Sequence, residues 1–465
     1  MRWPSAMVDA RGWTAVGERL QAGEISLLAL WGEPRAAHMA ILEKNEPSLL
    51  HLACGERRFP SIGRVHAPAI RPERAMRDLA GLEAEGAPDT RAWLRHDAPY
   101  AFLPAEGEGL HQIPVGPVHA GIIEPGHFRF TASGETVVRL EQRLGYAHKG
   151  IDALLAGAPL ERAARLAARV SGDSTVAYAL AFARAVEDAL GIEAPPRAAW
   201  LRALAAELER LANHFGDIGA VCNDASFSIM HAACGLLREH VLRTAHACFG
   251  HRLMMDCVVP GGMRTDLASG SEKYVASLLA FVAARFPELV ELYDDTASLK
   301  DRTVGTGIVS HALARQYAAG GFVGRASGRN FDARRTPGYA PYGELRLEVP
   351  MVQAGDVNAR VWIRIREVQQ SLALLEQILA RLPGGPLQVE LPAGAGEGAA
   401  LVEGFRGDIF AWVRLGAHQT VERCYLRDPS WFQWPLLEAA IEGNIVADFP
   451  LCNKSFNCSY SGHDL

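Results

Sequence analysis

From Pro159 to about Leu292 the apolar side chains recur every three to four positions, the period of a helix buried on one face. Four stretches carry the pattern most regularly and predict helices: Val176–Leu190, Arg197–Phe215, Ser228–Phe249 and Tyr274–Leu292. Gly191 fits the stop of the first, and Pro195-Pro196 the start of the second. Pro287 is expected to kink the last or split it in two. A further helix, Asn358–Arg381, places Val361, Ile365, Val368, Leu372 and Leu375 on one face. Outside these stretches the pattern changes. Short apolar runs at Ile25–Trp31 and Ser48–Ala53 read as strands, followed by a charged helical stretch near Glu73–Glu85. His127–Phe130 and Glu135–Leu140 alternate with period two and predict a hairpin around Ser133-Gly134. Phe102–Pro117, with its glycines and prolines, reads as a linker. Pro383–Gly398 separates the last long helix from a β-rich section, Leu401–Arg427. The expected fold class is α+β: a mainly helical bundle core with flanking β-hairpin and sheet elements, plus a small N-terminal α/β domain. The expected boundaries are 1–100 for the small domain, 101–117 for the linker and 118–465 for the large domain.

The 465 residues exceed what one hydrophobic core usually supports, in keeping with two units. With 49% hydrophobic and 22% charged residues the chain is ordinary globular protein. Its net charge of −6, with both signs mixed along the chain, argues against nucleic acid as a partner. The most apolar runs, Val176–Ala183 and Tyr274–Phe286, fall short of the roughly 20 residues a membrane span needs. Attachment to a membrane would therefore come from other subunits. The eight cysteines, at 54, 222, 234, 248, 257, 424, 452 and 458, form no CxxC pair. They read as reduced thiols in a cytoplasmic protein and not as ligands of a cluster or zinc. His231, His240, His246 and His251 lie on or near one helix without the i, i+4 spacing of a metal pair. No GxGxxG loop is present, so no dinucleotide site is expected.

Several segments, in order, carry a family resemblance. Gly116-Pro117-Val118-His119 with Glu124-Pro125-Gly126-His127-Phe128-Arg129 resembles the opening hairpin of the complex I 49-kDa subunit and of group 4 hydrogenase large subunits. Gly145–Gly150 looks like the GYxHRG step of that family, and Ala177–Gly191 with Arg202–His214 like its helical hairpin. Arg325–Gly328, Asp332–Arg334, the run from Gly355 through Arg360, Arg364 and Glu367 to Ser371, and Gly443–Ile445 continue the likeness. Residues 73–91 are similar, more distantly, to the 30-kDa subunit, a fusion familiar in formate-hydrogenlyase-type chains.

The resemblance also shows what is absent. Nickel–iron hydrogenases bind their metals through four cysteines, in an RxCGxC and a DPCxxC motif. Nickel and low-spin iron need such soft, deprotonated sulfur. The first motif reads here Arg169-Val170-Ser171-Gly172-Asp173-Ser174, and the second Asn457-Cys458-Ser459-Tyr460-Ser461-Gly462. Ser171, Ser174, Ser459 and Gly462 thus stand where cysteines would, with Cys458 one residue out of register. Complex I lost these cysteines as well and uses the vacated cavity for a quinone head. The resemblance therefore implies that Ser171, Gly172, Ser174, Ser459 and Gly462 line such a cavity. It implies catalytic roles for His127 on the hairpin, for Asp224 as its protonating partner, and for Glu124 at a proton-relay position. The complex I tyrosine that holds the quinone would fall near Gly172, which has no hydroxyl. The bland alternative is that His127 and Asp224 form a hydrogen-bonded structural pair. Asp152 falls where hydrogenases place a magnesium-binding glutamate and is read as structural, with no metal expected in the chain. Arg325, Arg334, Arg360 and Arg364 either face a neighbouring subunit or pair with internal carboxylates.

The resemblance implies a redox subunit of a membrane-associated, ion-translocating complex, peripheral on the cytoplasmic face of the inner membrane, active only within that complex. It implies no cofactor held by this chain, a quinone at the vacated cavity, and a [4Fe–4S] cluster on a partner small subunit. Antiporter-like membrane subunits and an electron-input module are further implied partners. A structural coupling subunit without a redox substrate, and an active hydrogenase, are the alternatives.

Overall fold

A computed structural model describes residues 2–119 and 123–465, so residues 120–122 of the opening-hairpin motif lie outside it. The helices follow the periodicity. Thr175–Leu190 ends on Gly191 in the left-handed conformation, and Pro196 opens the helix Pro196–Asp224. Ser228–Phe249 and Val357–Arg381 match the expected spans to within a residue. Glu272–Asp295 runs through Pro287 as one helix and is not split. These helices share one large apolar core, in which Tyr178, Phe182, Leu201, Leu208, Phe215 and Val361 are fully buried.

Among the described residues, three sheets of three or more strands flank the bundle. The first has strands Ser26–Glu33, Ala36–Glu43 and Glu46–Ala53 as an antiparallel meander, with Ser5–Val8 added parallel to Glu46–Ala53. The second joins Leu110–Val115, His127–Ser133 and Thr136–Arg143 in antiparallel order. Its first strand lies within the stretch read as a linker. The third is the antiparallel run Gly396–Glu403, Asp408–Leu415 and Val421–Arg427, which packs on the helix Thr175–Leu190.

The first and third sheets face each other. Leu28, Trp31, Ala40 and Leu49 of one share a buried cluster with Leu401, Phe410 and Trp412 of the other. Arg427 donates to the Leu28 carbonyl (2.8 Å) and Arg414 pairs with Glu33 (2.9 Å) across the junction. The N-terminal sheet thus buries one face on the body of the molecule, and its strands alone would leave that face wet.

A tight turn in the third sheet sets the position of Arg406. Gly404 and Gly407 exchange backbone hydrogen bonds of 2.9 and 3.2 Å, leaving Phe405-Arg406 at the tip of the hairpin. Gly321 packs against this tip at φ +61°, and a Cβ there would sit 1.9 Å from the Arg406 carbonyl oxygen. Only glycine tolerates both the conformation and the approach. Gly321→Ala should cost about 1–2 kcal/mol for the left-handed backbone alone, and more for displacing Arg406. A lower urea midpoint with an unchanged slope is the expected result.

Candidate functional site: the serine–arginine centre

The short turn Gly172–Ser174 precedes the helix Thr175–Leu190 and is fixed from both sides. Asn213 of the neighbouring helix donates to the Asp173 carbonyl (2.7 Å), and Thr175 Oγ1 donates to the Ala168 carbonyl (2.7 Å). Lys149 donates to the carbonyls of Arg169 (3.0 Å) and Val170 (2.6 Å), just upstream. The C-terminal segment reaches the same place. The backbone N–H groups of Lys149 and Gly150 donate to the Leu465 carbonyl (2.7 and 3.1 Å), and Ala147 N–H to the Asp464 carboxylate (2.9 Å).

Two segments nearly three hundred residues apart meet here. Ser459 Oγ lies 3.4 Å from Ser171 Oγ and accepts the Gly462 N–H (2.9 Å). Ser171 and Ser174 both donate to Asp173 Oδ1, at 2.6 and 3.0 Å. The carboxylate of Asp173 is held by Arg406 in a two-pronged pair, Nη1 to Oδ1 at 2.9 Å and Nη2 to Oδ2 at 2.5 Å. Arg406 also donates to the Asn457 carbonyl and stacks over Phe405 at 4.5 Å. Burial alone would push the Asp173 carboxyl up, but the Arg406 guanidinium and the two serine hydroxyls outweigh it and hold it at about 2.

Asp428 completes the centre. It accepts from Tyr178 Oη (2.6 Å) and the Ser430 N–H (2.8 Å), and a Cβ at Gly462 would meet its Oδ2 at 2.4 Å. The space a side chain at position 462 would need is therefore taken by a carboxylate. Cys458 is buried nearby, with its thiol pushed up chiefly by burial. The adjoining cavity, lined by Gly172, Asp173, Glu209 and Asn213, holds about 20 Å³, room for one water. Among the described residues no group of three or more His, Cys, Asp or Glu side chains is placed to hold a metal ion.

The four positions expected to stand for cysteines, Ser171, Ser174, Ser459 and Gly462, thus come together. The three titratable candidates are placed differently. Glu124 reaches the centre's edge, where its carboxylate accepts the Ser461 N–H at 3.0 Å. His127 begins the strand His127–Ser133, with its ring 4.7 Å from Phe102 and its Nε2 unpartnered. Burial first, and Arg129 second, lower its pKa. Asp224 ends its long helix, where burial raises its pKa and its charged neighbours are Lys454 and His231. The expected His127–Asp224 pair is not formed, neither as a hydrogen bond nor as an ion pair; each group has its own surroundings. The four arginines face inward. Arg325 binds Glu367 (2.6 Å) and Glu403 (2.9 Å), Arg334 binds Asp332 (2.7 Å) and Glu207 (2.9 Å), and Arg364 binds Asp217 (3.0 Å). Arg360 is buried on the carbonyls of Gly307 and Gly355 and on Ser455 Oγ. Asp152 keeps one buried carboxyl oxygen without a partner.

Sequence patterning missed Arg406, Asp428 and Tyr178. The available signal for Arg406 was a charged residue between two glycines joining two apolar strands, a position where function concentrates.

The fold and the sequence have known relatives. The chain is 32% identical over 438 residues to formate hydrogenlyase subunit 5 of Escherichia coli, covering 87% of this chain and 77% of that one. It is 30% identical over 352 residues to a subunit of the NADH-quinone oxidoreductase of Roseiflexus, covering 72% and 94%. The chain belongs to the large-subunit family that these oxidoreductases share. Residues 224–394 match the family model of the respiratory-chain NADH dehydrogenase 49 Kd subunit. A chain in the archaeal membrane-bound sulfane sulfur reductase, a respiratory membrane complex, has the same fold, with a TM-score of 0.73 over 77% of this chain and 99% of that one at 24% identity. The mixed helix-and-sheet architecture expected from the sequence is thus the architecture of this large-subunit family.

Glu209, beside the centre, gives a test. Burial pushes its carboxyl up to about 8, against the opposing N–H groups of Val176 and Ala177. The native state keeps a proton that the unfolded chain releases above about pH 4.3. Stability should therefore fall as pH rises from about 4 towards 8. Glu209→Gln should flatten that slope, read from urea midpoints at pH 5 and pH 8.

Proposed function

We propose that this chain is the large subunit of a membrane-associated, ion-translocating oxidoreductase complex, and that the serine–arginine centre handles a quinone or similar acceptor there. The carrying observation is the convergence of Ser171, Ser174 and Ser459 with the Arg406–Asp173 pair, where relatives with nickel would place sulfur. Gly172 is exposed at this point, so the donor-rich centre meets the surface. A carbonyl oxygen arriving at that edge meets hydroxyls that now donate to Asp173 and to one another. On this reading Ser171 or Ser174 turns its O–H from Asp173 to the acceptor, in a partly buried setting where hydrogen bonds to a developing negative charge are strongest. Glu124 and His127 stand on the hairpin as the groups for proton supply; Asp224, surrounded by Lys454 and His231, is left out of that role.

Nickel does not fit the donor set. Serine hydroxyls are neutral at working pH, Arg406 brings a fixed positive charge, and Asp428 fills the space at Gly462. A [4Fe–4S] cluster on a separate small subunit supplies electrons on this reading, and antiporter-like partners carry the ion movement. Among the described residues no helix is long and apolar enough to cross a membrane. On the same reading the partner subunits hold the chain at the cytoplasmic face.

One observation favours a second reading, a structural coupling subunit. The centre is closely packed, and the cavity beside it is small. The complex purified through a tag on this chain distinguishes the two. Asp173→Asn and Arg406→Lys should lower quinone reduction at least about tenfold, the scale of one lost charge-assisted hydrogen bond, with all subunits still co-purifying. Unchanged turnover in both variants and in His127→Ala would establish the coupling reading. Nickel near one equivalent per chain by elemental analysis would overturn the assignment of the centre.

A further inference from the structure

The seam between the first and third sheets encloses two histidines that the serine–arginine centre does not use. His38 and His51 are directly opposite partners on the strands Ala36–Glu43 and Glu46–Ala53, so their side chains share one face of the sheet. His38 stacks on Trp31 of its own sheet (5.3 Å between ring centres) and on Trp412 of the third (5.6 Å), each at 25°. The two histidines are only 2% and 8% exposed. Their Nδ1 atoms lie 2.6 Å apart. His51 Nε2 is 2.9 Å from Ser5 Oγ on the added strand Ser5–Val8, and His38 Nε2 is 3.3 Å from the Glu33 carboxylate.

These four contacts limit how many protons the pair can hold. The short Nδ1 contact needs one N–H and one lone pair, and the Glu33 carboxylate needs an N–H on His38 Nε2. The Ser5 hydroxyl donates or accepts as required. All contacts are therefore met when the pair is neutral, and equally when it carries one extra proton. A second extra proton puts an N–H on both Nδ1 atoms at 2.6 Å and sets two like charges opposite each other in a buried seam.

The charged groups around the pair come from every strand of the seam. Glu33 is shared with Arg414 (2.9 Å) and Arg423 (3.6 Å), and Arg414 also holds Glu397 (2.5 Å). Glu33 and Glu397 favour a charge on His51, but burial first and the charge on His38 second outweigh them, with Arg414 opposing as well, and its pKa is lowered.

We propose that the His38–His51 pair is a proton-operated latch on the N-terminal sheet. It stays closed with at most one extra proton shared across the Nδ1 contact. The second proton breaks that contact and loosens the sheet where it packs on Trp412. The inference stands on the seam alone and is independent of any role for the serine–arginine centre.

The sign follows from the proton count. An opened pair takes up both protons as pH falls through about 6.5, the ordinary histidine value, while the latched pair takes one. Below that value the open form gains about tenfold on the latched form per pH unit, and above it the latch holds.

Hydrogen–deuterium exchange between pH 8 and pH 5 tests the latch, on the complex purified through this chain and with rates corrected for the intrinsic pH dependence of exchange. Peptides from residues 36–53 and 408–415 should lose protection below about pH 6.5, by about tenfold per unit, while the helix Val357–Arg381 keeps its own. Asp152, a neighbour of Tyr425 whose carboxyl burial pushes up to about 7, acts in the opposite direction, since acidification favours the state that keeps its proton. His51→Gln and His38→Gln each leave a pair that cannot take a second proton, and each should abolish the local pH dependence. Protection of the two segments that stays unchanged from pH 8 to pH 5 in the unaltered chain would overturn the latch, whether or not the variants assemble. So would a pH dependence that survives in both variants.

Discussion

The pair between Arg406 and Asp173 is the contact on which the centre depends. One guanidinium locates three segments far apart in sequence: the turn before Thr175–Leu190, the hairpin tip of the third sheet, and the carbonyl of Asn457 ahead of the C-terminal helix. Burying such an ion is costly unless its donors are met with good geometry. Here they are met by a two-pronged carboxylate, a carbonyl, the Ser174 hydroxyl and the face of Phe405. Removing Arg406 alone strands a carboxylate, whereas removing both partners does not, and the two kinds of change therefore differ in what they report.

Behind the pair stands a buried lattice of alternating charge. Asn457 donates to Asp217, which takes Arg364; Glu367 takes both Arg325 and His214 Nε2. Arg334 bridges Asp332 and Glu207, and Glu207 also accepts from Tyr342 and Ser371. Such a lattice adds little net stability over an apolar core, but it tolerates few alternative arrangements. Its consequence is geometric. The helices Pro196–Asp224 and Val357–Arg381 are locked side by side by directional bonds, and the turn carrying Ser171 and Asp173 leans on the first of them through Asn213.

The helices with an unbroken apolar stripe were legible from spacing, because burial on one face is what that spacing encodes. The second long helix was underestimated. Gly216, Asp217 and Gly219 interrupt its pattern, yet Gly216 packs on Arg238, and Gly219 on Cys234 and His231, so tertiary contact carries the helix on to Asp224. The strand Leu110–Val115 was hidden by Pro114 and its glycine-rich surroundings, features that usually mark a loop. Ser171, Ser174, Ser459 and Gly462 were singled out only through family likeness; nothing in local patterning brings residue 171 to residue 459. The same likeness suggested the His127–Asp224 pair, but motif order carries no distances. The residues that organise the centre, Arg406 and Asp428, belong to no local pattern, since their partners are 233 and 250 residues away.

Hydroxyl, guanidinium and carboxylate groups set what the centre can do. None of these groups exchanges electrons under ordinary conditions, so any redox event must take place on a bound acceptor, with the protein limited to hydrogen bonds and protons. Within that limit the carboxylates are sharply divided. Asp173, held at about 2, carries no proton near neutrality and serves only as an acceptor. Glu209, on the same small cavity and pushed up to about 8, carries one. Two carboxyls set apart by their surroundings form the arrangement that acid–base chemistry needs. The difference has plain causes: Asp173 pairs with the Arg406 guanidinium, while Glu209 is raised chiefly by burial and further by the Asp173 carboxylate, which two backbone N–H groups and Arg210 only partly oppose.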